Sequence, residues 1–400
     1  MTTDRRKQTM FITRLESLRG IAALMVAVGH CLIVFSVNQN EIIWMTPLWE
    51  TQGTQAIITR LLLIPFNGGA AVTVFFVLSG FVLGLSLDRK SKSVGTCFAF
   101  YVKRLFRIYP AHLVCLSLMI VSLSCFYTYA AYPNTSVWFK AWYQNPLTLD
   151  NVLANYALLE TNLNQVAWTL KVELVMSAVF PLAYYLSRSV GTKANLLILL
   201  LLLGCSLIRG LFPGSLYFLY GYVFYLGLMM PTLMEKLNQH VHQKVWNALF
   251  LISIVCLISA GSVFSPGNLF CVLLLEAVSA TLLIAIIADG RSNPPLSRVL
   301  DVPLVRKLGQ VSYSFYIYHF IILYWLAWGL LAIVSPQITG DYPLLLGLLL
   351  VVVSVVISYF IALLSYYLIE RPMIKYGALM AGKLGSFSRS KQDVAPVSTK

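Results

Sequence analysis

The chain has 400 residues, room for two or three soluble domains, but its composition excludes that division. Hydrophobic residues make up 58% and charged residues only 11%, against about 25% charged in soluble globular proteins. The net charge of +14 admits nucleic acid, anionic lipid or positive-inside membrane topology, and the mean hydropathy of +0.78 favours the last.

The same composition excludes disorder, collagen and coiled coil. Seven cysteines, an odd number, lie mostly inside apolar runs, with Cys31, Cys115, Cys205, Cys256 and Cys271 as examples. There is no CxxC pair and no disulfide framework, so they read as small apolar fillers.

Crossing a bilayer as a helix takes about 20 apolar residues. In chain order the sequence predicts spans over 17–37, 69–87, 110–130, 168–187, 194–210, 215–231, 245–262, 269–288, 309–331 and 343–368. The runs are long and do not alternate with period two, which selects helices over a barrel. The stretch 56–66, with Arg60 and Pro65, reads as a short interfacial or re-entrant helix. The first span is not a cleaved signal peptide, because His30 interrupts it and no small-x-small site follows. The expected fold is therefore all-α, a polytopic membrane bundle of about ten helices. It divides into an N-terminal segment 1–12, an embedded domain 13–374 and a mobile tail 375–400 rich in Ser, Lys and Gly.

Lys and Arg placement sets the orientation. With the N-terminus in the cytoplasm, 25 of the 29 basic residues fall in inner segments, and only Arg60, Lys140, Lys171 and Arg209 fall elsewhere. The outer connections hold Glu41, Glu50, Asp150, Glu160 and Asp341. Ten spans with both termini cytoplasmic thus account for the positive charge without nucleic acid.

Ionisable groups inside a membrane are costly and mark the places to look for chemistry. His30 lies in the outer half of the first span, and Arg19 lies at its cytoplasmic end. Their eleven-residue separation is about three turns plus 20°, so they share one face about 16 Å apart. That pair outlines a polar track, although a lone histidine between helices is more often a hydrogen-bonded interior group. Glu173, in Trp168-Thr-Leu-Lys-Val-Glu173, needs a partner from another span, such as His30 or Arg209. Lys171 is two residues away and points elsewhere. Tyr313, Tyr316 and His319 recur every three residues and form a broad polar-aromatic face, either a substrate-lining wall or aromatic packing. Arg104 and Arg107 share a face at the start of the third span, as phosphate-gripping groups or topology anchors. His240 and His242 sit in a polar inner loop and read as solvated. Metal-ligand spacing, P-loop and nucleophile-elbow patterns are absent from the sequence.

Taken together, these segments resemble the membrane-bound acyltransferase-3 family, which includes O-acetyltransferases of bacterial surface polysaccharides. Arg14-Leu-Glu-Ser-Leu-Arg19 followed by His30 resembles that family's opening motif. Phe75-Phe-Val-Leu-Ser79-Gly80-Phe81, Phe100-Tyr-Val-Lys-Arg104-Leu-Phe-Arg107-Ile-Tyr-Pro110 and Trp168 through Glu173 resemble the next three. Ser312 through His319 and Ile369-Glu370-Arg371-Pro372 are similar to its C-terminal signatures. Glu16-Ser17, Thr169 and Lys103 are mild departures, and the resemblance runs roughly from Thr13 to Ile374.

The resemblance implies acyl transfer from acyl-CoA, usually acetyl-CoA, as a donor substrate, with no bound cofactor. The implied acceptor is a hydroxyl of a glycan or lipid-linked saccharide, and the implied location is the bacterial inner membrane. It implies His30 as catalytic base, with Glu173 second. Arg14, Arg19, Arg104 and Arg107 are the expected donor-binding cations. Ser79, Trp168, Tyr313, Tyr316 and His319 are the expected substrate-lining groups, some of them candidates to stabilise an oxyanion. The competing reading is a proton-coupled transporter using His30, Glu173 and His319 as a relay.

Overall fold

A computed structural model describes residues 2–88, 93–130, 132–208, 215–237, 243–264, 268–289 and 294–392. The described residues build sixteen α-helices: α1 (Thr2–Leu32), α2 (Thr54–Leu63), α3 (Gly68–Asp88), α4 (Val94–Phe126), α5 (Val137–Lys140), α6 (Leu149–Tyr156), α7 (Ala167–Ser189) and α8 (Thr192–Leu207); then α9 (Ser215–Leu237), α10 (Gln243–Val263), α11 (Leu269–Asp289), α12 (Pro303–Gln310), α13 (Ser312–Ile333), α14 (Pro336–Asp341), α15 (Pro343–Ser365) and α16 (Arg371–Gln392). Strand pairing among the described residues is limited to two isolated bridges, Phe35 with Thr135 and Val37 with Asn40.

Nine helical stretches among the described residues are long and apolar enough to cross a membrane. The remaining expected span, 194–210, is the apolar helix α8, which has 16 residues. Such a helix is about 24 Å long, short of the ~30 Å hydrocarbon thickness.

The apolar pattern is inverted relative to a soluble bundle. On α15, Ser354, Ser358 and Ser365 are buried while Val352, Val356, Phe360 and Leu364 face outward. Small polar residues let helices approach closely, and outward aliphatic groups match lipid. The closest approach is between α3 and α9. A Cβ on Gly80 would lie 2.1 Å from the Phe224 carbonyl oxygen, and one on Gly227 would lie 2.1 Å from that of Val77. This contact fixes the position of Ser79. α1 runs through the centre, packed on α3, α12, α13 and α15.

Alternate connections gather at opposite ends of the bundle. At one end Lys140 pairs with Glu41 at 2.7 Å, and Gln55 donates to the Asp341 carbonyl at 2.8 Å. At the other end Arg14 and Arg306 pair with Asp301, and Arg188 pairs with Asp88 at 2.9 Å. The acidic connections expected on one side thus share one end.

Two boundaries differ from the sequence expectation. The third span starts at Val94, so Arg104 and Arg107 lie within α4 rather than at its entrance. The expected mobile tail is helical through Gln392, because Gly377 admits Phe106 and Tyr376 packs edge-on against that ring at 5.4 Å; residues 393–400 lie outside the described residues. The short helix expected over 56–66 is α2, Thr54–Leu63; its Arg60 is only 3% exposed and faces into the protein, while Ile57, Ile58 and Leu61 face outward. Arg209, His240 and His242 lie outside the described residues.

Candidate functional site

Two cavities adjoin inside the bundle, and Tyr316 lines both. The first is walled by α1, α3, α4, α7 and α13. Arg19, Arg104 and Arg107 line it, together with Ser79, Glu173 and Tyr313. With three guanidinium groups against one lining carboxylate, this arginine chamber is cationic. Its cavity volume is about 70 Å³, a slot rather than a room. The second cavity, of about 340 Å³, contains His30, Trp168, Trp138, Arg60 and Asn67 in its wall. That volume is at the lower end of ordinary ligand pockets, about 300–1,000 Å³.

The charges in the arginine chamber are organised unequally. Arg104 Nη2 lies 2.5 Å from Glu173 Oε1, and its Nε donates to Ser177 at 3.1 Å. Ser79 donates to the same Glu173 oxygen at 3.1 Å. Arg104 is therefore committed to protein partners. Arg107 is more open: its side chain is 37% exposed, and its nearest carboxylate, Glu370, stands 3.7 Å away. Glu370 is itself buried and accepts a 2.9 Å hydrogen bond from Ser314. Arg19 lines the chamber, and no carboxylate among the described residues lies within ion-pair distance of it. The cations available to an incoming anion are thus Arg19 and Arg107. Tyr313 donates to the Ile108 carbonyl at 2.5 Å, which ties α13 to α4 beside the chamber.

These contacts correct two expectations. The expected partners of Glu173 are His30 or Arg209; in the structure it is bonded to Arg104 and Ser79 and not to His30, and Arg209 lies outside the described residues. Arg14 does not line the chamber, because its guanidinium is spent on Asp301, with Nη2 to Oδ2 at 2.6 Å and Nε to both oxygens at 3.1 Å. The Arg14 hydrogen bonds, and more weakly those of Arg306, hold the Asp301 carboxyl below the ordinary aspartate range. Arg14 joins α1 to the 295–301 turn; it is a clasp at the end of the bundle.

In the histidine chamber the hydrogen bonds fix a proton arrangement. His319 Nδ1 lies 2.6 Å from the Tyr316 carbonyl oxygen, and His319 Nε2 lies 3.1 Å from His30 Nδ1. A carbonyl only accepts, so His319 Nδ1 carries the hydrogen. Neutral His319 then has a lone pair on Nε2, so His30 Nδ1 carries a hydrogen and donates it. What remains on His30 is an unprotonated Nε2, with no hydrogen-bond partner among the described residues, in the wall of the cavity. Trp138 packs against the His30 ring with centroids 5.0 Å apart and the planes tilted by 33°. His319 was expected to line the substrate space. It is fully buried behind His30 and lines neither cavity.

Tyr316 stands at the junction, its hydroxyl 3.1 Å from Thr169 Oγ1. The single Thr169 hydrogen goes to the Val166 carbonyl oxygen at 2.9 Å, which can only accept, so the Tyr316 hydroxyl donates to Thr169 Oγ1 in the resting structure. Sequence reasoning passed over one buried network beside the histidine chamber. Glu276, 3% exposed on α11, accepts from Asn67 at 3.0 Å and Thr73 at 3.2 Å. A lone Glu in an apolar run was the available signal.

The arrangement joins a cationic slot to a room containing a histidine with a free ring nitrogen. Comparison with known proteins agrees with the motifs. The profile described as an acyltransferase domain matches residues 12–366. Acyltransferase MdmB of Streptomyces mycarofaciens is 28% identical over 297 residues, 67% of this chain and 72% of that protein. No solved structure matches the chain. Acyl transfer as the family's chemistry favours a catalytic over a transporter role for the buried His and Glu groups. A profile match over most of its length shows that this chain, a multi-pass membrane protein, belongs to the acyltransferase-3 family of acyl-transferring enzymes.

Proposed function

We propose that the protein is an O-acyltransferase that receives an acyl group, acetyl in the first instance, from acyl-CoA and passes it to a hydroxyl of a cell-surface glycan or lipid-linked saccharide. The observation that carries this reading is the meeting of the two chambers at Tyr316, with Arg19 and the loosely paired Arg107 on one side and the unprotonated His30 nitrogen on the other. Coenzyme A carries several phosphates, and Arg19 and Arg107 suit them. The narrow slot accommodates an extended thioester arm better than a nucleotide, so the nucleotide would remain at the arginine end. That end is the one rich in Lys and Arg, which supports a cytoplasmic donor and both termini inside a bacterial inner membrane.

In this reading the acceptor hydroxyl enters the histidine chamber. His30 Nε2 takes its proton as the oxygen attacks the thioester carbonyl carbon. The Tyr316 hydroxyl turns from Thr169 to donate to the developing oxyanion. The C–S bond then breaks, the ester forms, and the coenzyme A sulfur takes the proton back from His30. His319, anchored on the Tyr316 carbonyl, holds the base in the useful tautomer and is a positioning residue. Glu173 holds Arg104 and does not touch the reacting atoms. The test is incubation of membranes containing the protein with labelled acetyl-CoA and isolated surface glycan. Label retained covalently in the glycan supports the reading, and label found only in free acetate contradicts it.

A further inference from the structure

The histidine chamber contains a cation that the reaction above does not use. Arg60 is 3% exposed and lines the cavity. Its Nη1 donates to the Trp44 carbonyl at 3.1 Å. Its Nε and Nη2 are buried without any hydrogen-bond partner. Among the described residues no carboxylate pairs with it, and the nearby Glu276 is occupied by Asn67 and Thr73. An unpaired charge in such a setting is costly to keep, so the fold retains it against a penalty.

The pattern of unmet donors is specific. Nε and Nη2 form one edge of the planar guanidinium, the edge that grips two oxygens of a carboxylate or phosphate side by side. The Trp44 carbonyl occupies the opposite corner and turns that edge away from the loop. Gln165, which also lines the cavity, has a buried Oε1 with no partner, an acceptor suited to a hydroxyl. Trp44, Trp138 and Trp168 supply flat apolar walls. An unmet paired donor edge, an unmet acceptor and aromatic faces together describe a polyhydroxylated acid.

We propose that the Nε–Nη2 edge of Arg60 is an oxyanion subsite of the histidine chamber, and that the molecule acylated there carries a carboxylate or phosphate group as well as hydroxyls. The second half rests on the acceptor reading given above; the subsite itself does not.

The test uses the full-length protein in detergent and no acyl donor. Glucuronate, glucose 6-phosphate and glucose are titrated at low ionic strength, with tryptophan fluorescence as the readout, since three tryptophans line the cavity. At least one of the two anionic sugars should bind tenfold or more tightly than glucose, and which one does so distinguishes carboxylate from phosphate. Arg60→Gln should bring that sugar down to the affinity of glucose. Should Arg60→Gln fail to fold, Arg60→Lys retains the charge without the paired edge and should lose most of the preference. Arg107→Gln should leave the preference intact. Equal binding of all three sugars by the wild type overturns the proposal. So does a preference that survives at Arg60 and disappears in Arg107→Gln, which puts the anion in the arginine chamber. Neither failure touches the role of His30, which these titrations do not read.

Discussion

Replacing Glu173 by Gln removes the carboxylate and leaves the shape. The structure then leaves Arg104, 11% exposed, without its 2.5 Å partner, in a chamber it shares with Arg19 and Arg107. Removing one member of a buried pair costs about 3–5 kcal/mol in soluble proteins. Polar contacts between membrane helices measure far less, about 0.6 kcal/mol on average. This pair is charged and mostly buried, but Glu173 is 22% exposed and Arg104 retains Ser177. A cost of about 2–3 kcal/mol for Glu173→Gln follows, between those limits. Arg104→Gln should cost a similar amount. The double variant should recover about a quarter to a third of the sum, because neither charge is then stranded, giving a coupling of about 1–2 kcal/mol. Reversible unfolding in mixed micelles, read by circular dichroism, supplies the four free energies of the cycle. If the two costs simply add within about 0.5 kcal/mol, the pair does not hold α4 to α7 and the account of Glu173 as an anchor is wrong.

Further outcomes follow from the same contacts. Arg107→Ala should raise the apparent KM for acyl-CoA about tenfold or more with little change in kcat, as expected for a lost charge-assisted hydrogen bond to phosphate, and initial-rate kinetics at two salt concentrations would check it. Asp301 is held below its ordinary value of 3.8, chiefly by Arg14, so its stabilising effect is complete above that value and declines as pH falls through the lower, folded one. The stability gap between wild type and Asp301→Asn should therefore be constant from about pH 6 to 8 and narrow below about pH 4, read by thermal melts across that range. Gly80→Ala forces a Cβ to within 2.1 Å of a backbone oxygen and should abolish folding or activity. Gly84→Ala meets only the Leu228 side chain, at 3.2 Å, and should be much milder by folded yield. In a cysteine-free background, Gly340→Cys and Asn145→Cys should react with an impermeant maleimide outside intact cells, and Lys375→Cys should not.

The spans were legible because each depends on spacing within one segment; Arg19 and His30, both on α1, line the two adjoining cavities. Nine of the expected helices appear at near-expected positions, since a long apolar run fixes its own element. Partnerships were not legible. His30 meets His319 across 289 residues and Asn67 meets Glu276 across 209, distances at which only packing decides who faces whom. The need of Glu173 for a partner from another span is legible, but that partner, Arg104, lies in a motif that reads as a phosphate grip or topology anchor. Arg14 was grouped with the donor cations by motif, and the bundle instead spends it on Asp301. The stretch 56–66 reads as an interfacial or re-entrant helix, but the inward face of α2, Ala56, Thr59, Arg60 and Leu63, is decided by tertiary packing that the sequence does not show. The helicity of α16 was hidden by its glycines and serines, whose low helix propensity is overridden by packing on α4.

The central claim is that His30 Nε2 removes the proton from the acceptor hydroxyl. His30→Gln tests it most directly, since glutamine can hydrogen-bond to His319 but has no useful basicity at neutral pH. Membranes containing wild type or His30→Gln would be incubated with labelled acetyl-CoA and surface glycan, with donor binding measured in parallel. The account predicts unchanged donor binding and a loss of glycan acylation of about 10²–10⁴-fold, the usual contribution of a general base. Near-normal acylation by His30→Gln would contradict it.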